Sequence, residues 1–305
     1  MEKHRKKLIK NAAVFDGHSS GLAQGKKIVI EDDIVTEITA DEVSEENFDE
    51  VFDGTGMVAM PGMTDAHVHM GCLFAKGEFP VDYATVLTVA KCKDALMTGF
   101  TTFRDAGSVS EGLKLAFDEG VLPGPRIYPC GAYISQTCGH GDSEYAHTYR
   151  DIQYRHPSST VLADGVPEII QAVREQFYRG ASHIKLMATE ILNRHEDIRL
   201  LFGTDMMITG PDYQVEQSED IRYYEKRFGT MRALRALTGT ANEVFAFTTY
   251  QNPYPKGKIG VLEAGAFADL LLVDGDPTKR VSVLADTDHL RLIMKGGTVY
   301  KNTLC

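Results

Sequence analysis

The 305-residue chain contains no tryptophan, no CxxC pair and no run approaching 18 apolar residues. A membrane-spanning helix needs about 20 consecutive apolar residues, so none is expected. The five cysteines, Cys72, Cys92, Cys130, Cys138 and Cys305, are odd in number and widely spaced. That argues against a cysteine zinc site and for reduced thiols in a cytoplasmic protein. The opening stretch "MEKHRKKLIKNAAVFDG" is basic but lacks the apolar core of a secretory signal. Positive charge is scarce overall. A net charge of −11 argues against a nucleic-acid partner and against an anionic membrane surface. No P-loop is present; "GLAQGKK" (21–27) has the wrong spacing and reads as a hairpin turn. What remains is ordinary globular composition, 43% hydrophobic and 25% charged, enough for a large core or two domains.

The two ends of the chain read as β. "LIKNAAVFDG", "KKIVIEDDIVTEITA" and "VFDGTGMVAMPGMTDAHVHM" are short apolar strands with Gly, Asp and Asn at their turns. "KIGVLEAGAFADLLLVDGD" and "HLRLIMKGGTVYKN" return to this style near the C-terminus. Each set is too small for its own core, so residues 1–60 and 256–305 are expected to build one composite domain. Between them, over 61–255, strands alternate with helices, the signature of a parallel sheet with crossover helices. Helical spacing covers "VDYATVLTVAKCKDALMTG", with Gly99 as the residue after the helix. "SVSEGLKLAFDEG" is a helix capped by Ser108 or Ser110, and "DGVPEIIQAVREQFYRG" one with Asp164 as N-cap. "SEDIRYYEKRFG" and "TMRALRALTGTANEVFAF" are also helices. "FTTFRDAG", "PRIYPCGAYIS", "HIKLMA" and "IRLLFGTD" are the buried strands.

Several of these strands carry side chains suited to chemistry. His67 and His69 in "DAHVHM" stand two apart, so both imidazoles face the same side and can reach one metal ion. The plain alternative is two polar residues at a strand end. Lys185 sits inside an apolar strand. An ammonium has donors only, but a buried lysine tends to lose its charge, and a neutral amine takes up carbon dioxide to give an anionic carbamate able to bridge two metals. Otherwise it snorkels or pairs with an acid. Asp205 ends "LLFGTD", at the strand edge where parallel α/β folds place their sites; it can bind metal and shuttle protons, or cap the next helix. His140 in "TCGHGD" lies in a glycine-flanked loop, as a substrate contact or a surface turn. Arg104 and Asp105 in "FRDAG" read as a structural ion pair. His183 shares the Lys185 face by alternation, yet His147, His156, His183 and His195 fall in no ligand pattern and are read as structural or exposed.

Jointly, "PGMTDAHVH", "FTTFRDAG", "GPRIYPCGAYIS", "CGHGD", "DGVPEIIQAVREQFYRGASHIKLMA", "FGTD" and "NPYPKGKIGVLEAGAFADLLLVDGDP" resemble the amidohydrolase superfamily, in its imidazolonepropionase-like and Xaa-Pro dipeptidase-like branch. The resemblance implies a (β/α)8 barrel of TIM type beside a small composite β-sandwich from both termini. It implies a two-metal centre, usually zinc. His67 and His69 would hold the more buried ion, carboxylated Lys185 would bridge, and Asp205 would bind and act as proton shuttle. His140 would meet the substrate carbonyl. The substrate would be a small amide: a dipeptide, an N-acyl amino acid or a cyclic amide.

The chain departs from that pattern at one place. The family's bridging lysine ends strand four and its aspartate ends strand eight, which at roughly 30 residues per strand–helix unit puts about 120 residues between them. Here Lys185 and Asp205 are only 20 apart. A segment carrying strands five to seven, and with them two metal-binding histidines, is expected to be missing, with the join at 189–196, near "EILNRHED". Three readings follow: a working hydrolase whose sequence lacks its middle; a true internal deletion that is catalytically silent or keeps one weak metal; or a binding role in which the β domain or an open barrel edge forms a homo-oligomer.

Overall fold

A computed structural model describes residues 5–70, 81–107, 111–137, 139, 141–142, 160–186, 199–207 and 213–304. The N-terminal part contributes six strands, with one 3-10 turn at Glu45–Asn47: β1 (Lys6–Lys10), β2 (Ala13–Val14), β3 (Lys27–Glu31), β4 (Ile34–Thr39), β5 (Glu50–Asp53) and β6 (Val58–Pro61). The middle alternates: β7 (Met63–His69), α1 (Val81–Met97), β8 (Phe100–Asp105), α2 (Glu111–Asp118), β9 (Arg126–Tyr128), β10 (Tyr133–Ser135), β11 (Thr160–Leu162), α3 (Val166–Tyr178), β12 (Met206–Met207), α4 (Tyr213–Phe228), α5 (Thr230–Leu237) and α6 (Gly239–Phe245). The chain ends in β13 (Leu270–Val273), β14 (Leu290–Lys295) and β15 (Thr298–Asn302).

Two sheets form around the termini. One has the order β4-β3-β1-β5; the other, β15-β14-β13-β6-β2, draws strands from both ends of the chain. Their alternating apolar residues meet in one core, where Ile9, Ile28, Ile30 and Phe52 pack with Ala59, Leu270, Leu272 and Leu292. Strand β6 is held antiparallel to β13, from Pro61 opposite Leu270 to Val58 opposite Val273. Gly62 then hands the chain directly to the next sheet, its N–H bonded to the Asp269 carbonyl.

That next sheet, β12-β7-β8-β9, is parallel throughout. Residues of β7, β8 and β9, such as Val68, Phe103 and Ile127, join Cys92 and Leu96 of α1 and Leu234 of α5 in the largest core. Gly99, at φ 90°, lets α1 end and turn straight into β8, as its place in the sequence implies. Parallel strands with crossover helices aim their C-terminal ends the same way, and residues 67–69 and 205–207 therefore come to one rim.

Several sequence expectations need correction. "PRIYPCGAYIS" is not one strand: Pro129–Ala132 break it, leaving β9 in the four-stranded sheet and β10 paired with β11. "HIKLMA" is not a regular strand where it is described. Ser182 donates to the Pro129 carbonyl at 2.7 Å, Ile134 donates to the Lys185 carbonyl at 2.9 Å, and Leu186 makes a lone parallel bridge to Ile134. The segment runs where a parallel strand belongs, but its interrupted neighbour offers no continuous ladder. "IRLLFGTD" likewise forms no ladder before β12, because the Phe202 N–H is taken by the Ala236 carbonyl. Asp164 is not the N-cap of α3; Gly165 is. The Asp164 carboxylate instead accepts from the Thr137 N–H and hydroxyl. The long helix over 230–247 breaks at Thr238 into α5 and α6. Ser108, Ser110, and the connection at 189–196 lie outside the described residues.

Candidate metal centre

Four side chains far apart in sequence converge at the strand rim. The Oδ1 of Asp205 lies 2.9 Å from His67 Nε2 and 3.2 Å from His69 Nε2. Lys185 Nζ approaches His67 Nε2 to 2.8 Å, across 118 residues of sequence. The ligand atoms of His67, His69 and Asp205 all fall within 4.8 Å of one another. His69 is 11% exposed, His67 35% and Asp205 70%, so the cluster has a closed floor and an open mouth.

The local backbone explains how Asp205 gets there. Residues 202–207 run alongside β7: Ala66 donates to the Phe202 carbonyl at 2.8 Å, and Asp205 to the His67 carbonyl at 2.7 Å. Gly203 permits the approach, since a Cβ there would meet His67 Cβ at 2.7 Å. Asp205 itself adopts φ 55°, a left-handed conformation that a short polar side chain tolerates. Asp65 locks the arrangement. Its buried carboxylate accepts from the His67 N–H, the Thr204 N–H, the Thr204 hydroxyl at 2.9 Å and Gln217 Nε2. Burial raises that carboxyl to about 6, against the pull of those donors. Asp65 stands in the "PGMTDAHVH" motif and there supports a metal site, but its hold on His67 and Thr204 is visible only in the structure.

Burial first, and the Lys185 charge second, push the His67 imidazole down to about 4. At neutral pH this ring therefore offers a lone pair rather than a proton. Two imidazoles and a carboxylate are a donor set suited to a divalent transition metal, so the residues present fit one such ion. The amine of Lys185 competes for the His67 lone pair, and its conversion to a carbamate would remove that competition.

Arg104 and Asp105 do not form the expected ion pair. Arg104 Nη1 donates to the Ala66 carbonyl at 3.2 Å, while Asp105 accepts from the Met70 and Gly107 N–H groups at 3.3 Å. They leave β8 on opposite sides. His183 is not a surface residue: burial pushes its imidazole down to about 3, and Nδ1 lies 3.0 Å from Ser182 Oγ. His140 and His195 lie outside the described residues. Among the described residues, His67, His69 and Asp205 are the single group that could hold a metal.

The sheets and the site define a mixed α/β protein with a candidate metal-ligand cluster at its parallel strand ends. Residues 58–196 match the model of the amidohydrolase family. The match ends inside the connection where the join is expected. Over 152 residues the chain is 34% identical to an ochratoxinase of Aspergillus niger, covering 43% of this chain and 31% of that protein. The chain thus spans about a third of the length of that relative. Among solved structures it resembles an amidohydrolase, with a TM-score of 0.84 and 23% identity over 98% of this chain and 100% of that one. A prolidase complexed with N-methylphosphonate-L-proline gives a TM-score of 0.83 and 22% identity over 97% and 100%. At such identities these likenesses establish the fold.

Gly203→Ala is expected to weaken metal binding by about 10–100-fold, the range found when a ligand's supporting contacts are disturbed, because the new methyl displaces His67. Zinc titration against a chromophoric chelator measures this. Unchanged affinity would show that His67 has room to move.

Proposed function

We propose that the chain is a metal-dependent hydrolase that cleaves a C–N bond of a small amide. The observation that carries this reading is the convergence of His67, His69, Lys185 and Asp205 on one rim, with His69 and Asp205 136 residues apart. The family match over residues 58–196 supports it. His67 and His69 would hold a divalent ion, zinc by donor type, through neutral Nε2 atoms, with Asp205 and carboxylated Lys185 completing the set. When bound, such an ion acidifies water and polarises a carbonyl oxygen. The exposed Asp205 carboxylate takes the proton of the attacking water as the new C–O bond forms. It then delivers that proton to the departing nitrogen as the C–N bond breaks. His140 is assigned to the substrate carbonyl. The prolidase and ochratoxinase likenesses favour a dipeptide or N-acyl amino acid. In this reading, residues 1–60 and 256–305 form the composite β-sandwich and 61–255 an incomplete barrel lacking strands five to seven, in a cytoplasmic protein.

A second reading, a catalytically silent homologue with a structural or oligomeric role, draws on the single cluster found among the described residues. A second ion finds no pair of imidazoles there. One experiment separates the two. The purified chain is loaded with zinc, manganese or cobalt in bicarbonate buffer, its metal content is measured, and N-acyl amino acids and dipeptides are tested for hydrolysis. Metal-dependent turnover supports the hydrolase. One tightly held ion per chain with no turnover on any substrate supports the silent homologue.

A further inference from the structure

A cavity of about 360 Å3 is lined by Arg104 and His183, which have no role in the proposed hydrolysis. Phe177, Phe245, Phe247 and Tyr250 line it with them. Among the described residues, Arg104 makes one hydrogen bond, to the Ala66 carbonyl. Among the described residues no carboxylate lies within ion-pair distance of it, since Asp105 is engaged on the other side of β8. A guanidinium carries five N–H donors in a planar fork. Withdrawing that charge from water without a counter-ion is costly, and burial indeed lowers the Arg104 pKa.

The mouth gives a second, independent sign. Phe247 is 67% exposed and Tyr250 90% exposed, while Phe245, just inside, stacks on Tyr128 with ring centroids 3.8 Å apart. Both exposed rings line the cavity, so they offer apolar surface where a ligand would enter. Thr249, between the two exposed rings, holds φ 46° and ψ −119°. A non-glycine residue keeps such a conformation only where the surroundings impose it, and these positions cluster at ligand clamps.

We infer that this cavity binds a small organic carboxylate with an aromatic body, its carboxylate forked onto Arg104 and its ring against Phe177, Phe247 and Tyr250. The site needs neither a metal nor turnover, so it stands apart from the hydrolase reading.

The test uses the 305-residue chain stripped of metal by chelation, titrated calorimetrically with phenylacetate and with its neutral isostere phenylacetamide. Charge-assisted hydrogen bonds to arginine are expected to make the acid bind at least about tenfold more tightly than the amide. Arg104→Met should erase that preference and Arg104→Lys keep part of it, because a lysine supplies charge without the fork. Phe247→Asp, at an exposed position, removes a ring contact and puts a carboxylate at the mouth, so it should weaken both ligands and cost phenylacetate about tenfold more than the amide. It also decides the matter if Arg104→Met fails to fold. Equal affinity for acid and amide, no binding of either, or phenylacetate binding untouched by Phe247→Asp overturns the inference.

Discussion

Replacing Asp205 by Asn is expected to lower turnover by about 10²–10⁴-fold, the usual contribution of a positioned acid–base group, while the protein keeps its fold and most of its metal. Asn has nearly the same shape, and it is among the few residues that readily occupy the left-handed backbone region. The φ of 55° at position 205 therefore survives, as does the 2.7 Å bond from its N–H to the His67 carbonyl. Its amide oxygen can still face the two imidazoles. What is lost is the carboxylate that, in the proposed mechanism, accepts a proton from water and releases it to nitrogen. His69→Ala should behave differently. It removes a lone-pair donor from the least exposed corner of the cluster, so metal content and activity fall together. The comparison is made with metal content and rate measured on the same samples. An Asp205→Asn variant as active as the parent at equal metal content would remove Asp205 from proton transfer.

The positions of these residues were legible because strand alternation and strand-end placement are properties of short windows. His67 and His69 share a rim by spacing alone, and Asp205 follows an apolar run that leads it there. What could not be read was how the segment around Asp205 lies against its neighbour. That depends on Gly203 pressing on His67 and on Phe202 bonding to Ala236, contacts across more than 30 residues of sequence. The Arg104–Asp105 pair failed for the opposite reason. Neighbours on a strand point to opposite faces, and local rules alone already argued against the pairing. The break in "PRIYPCGAYIS" at Pro129 was also visible, since proline is poorly placed inside a paired strand. The exposed rings of Phe247 and Tyr250 had no sequence signal, because Phe247 closes the helix read over 230–247 and Tyr250 follows it in a stretch without a motif.

Removing the carboxylate of Asp269 is expected to be the most damaging change away from the metal cluster. Asp269 is 3% exposed and Arg126 8%. Arg126 Nε and Nη2 fork onto its two oxygens at 2.7 and 3.2 Å, and the Gly296 N–H adds a bond of 2.6 Å. The guanidinium also lies 3.7 Å from the Phe267 ring centroid. Beside this pair sits Lys295, 7% exposed, whose ammonium is pushed down to about 8 by burial and then by the Arg126 charge. Asp269→Ala thus strips the buried Arg126 of its forked partner and leaves Asp118 as the remaining acid acting on both Arg126 and Lys295. Breaking such a pair from one side costs about 3–5 kcal/mol, a large share of the roughly 5–15 kcal/mol that holds a domain folded. Replacing both partners, Arg126→Met with Asp269→Asn, leaves no unpaired charge at the pair and keeps an acceptor for Gly296, so it should recover most of that loss. Because Arg126 belongs to β9 and Asp269 leads into β13, the pair also ties the parallel sheet to the sheet built from the termini. Urea unfolding of Asp269→Ala followed by two probes should then show transitions that no longer coincide. A loss under about 1 kcal/mol, or a double variant as weak as the single one, would mean that water reaches Arg126 and does the work assigned to Asp269.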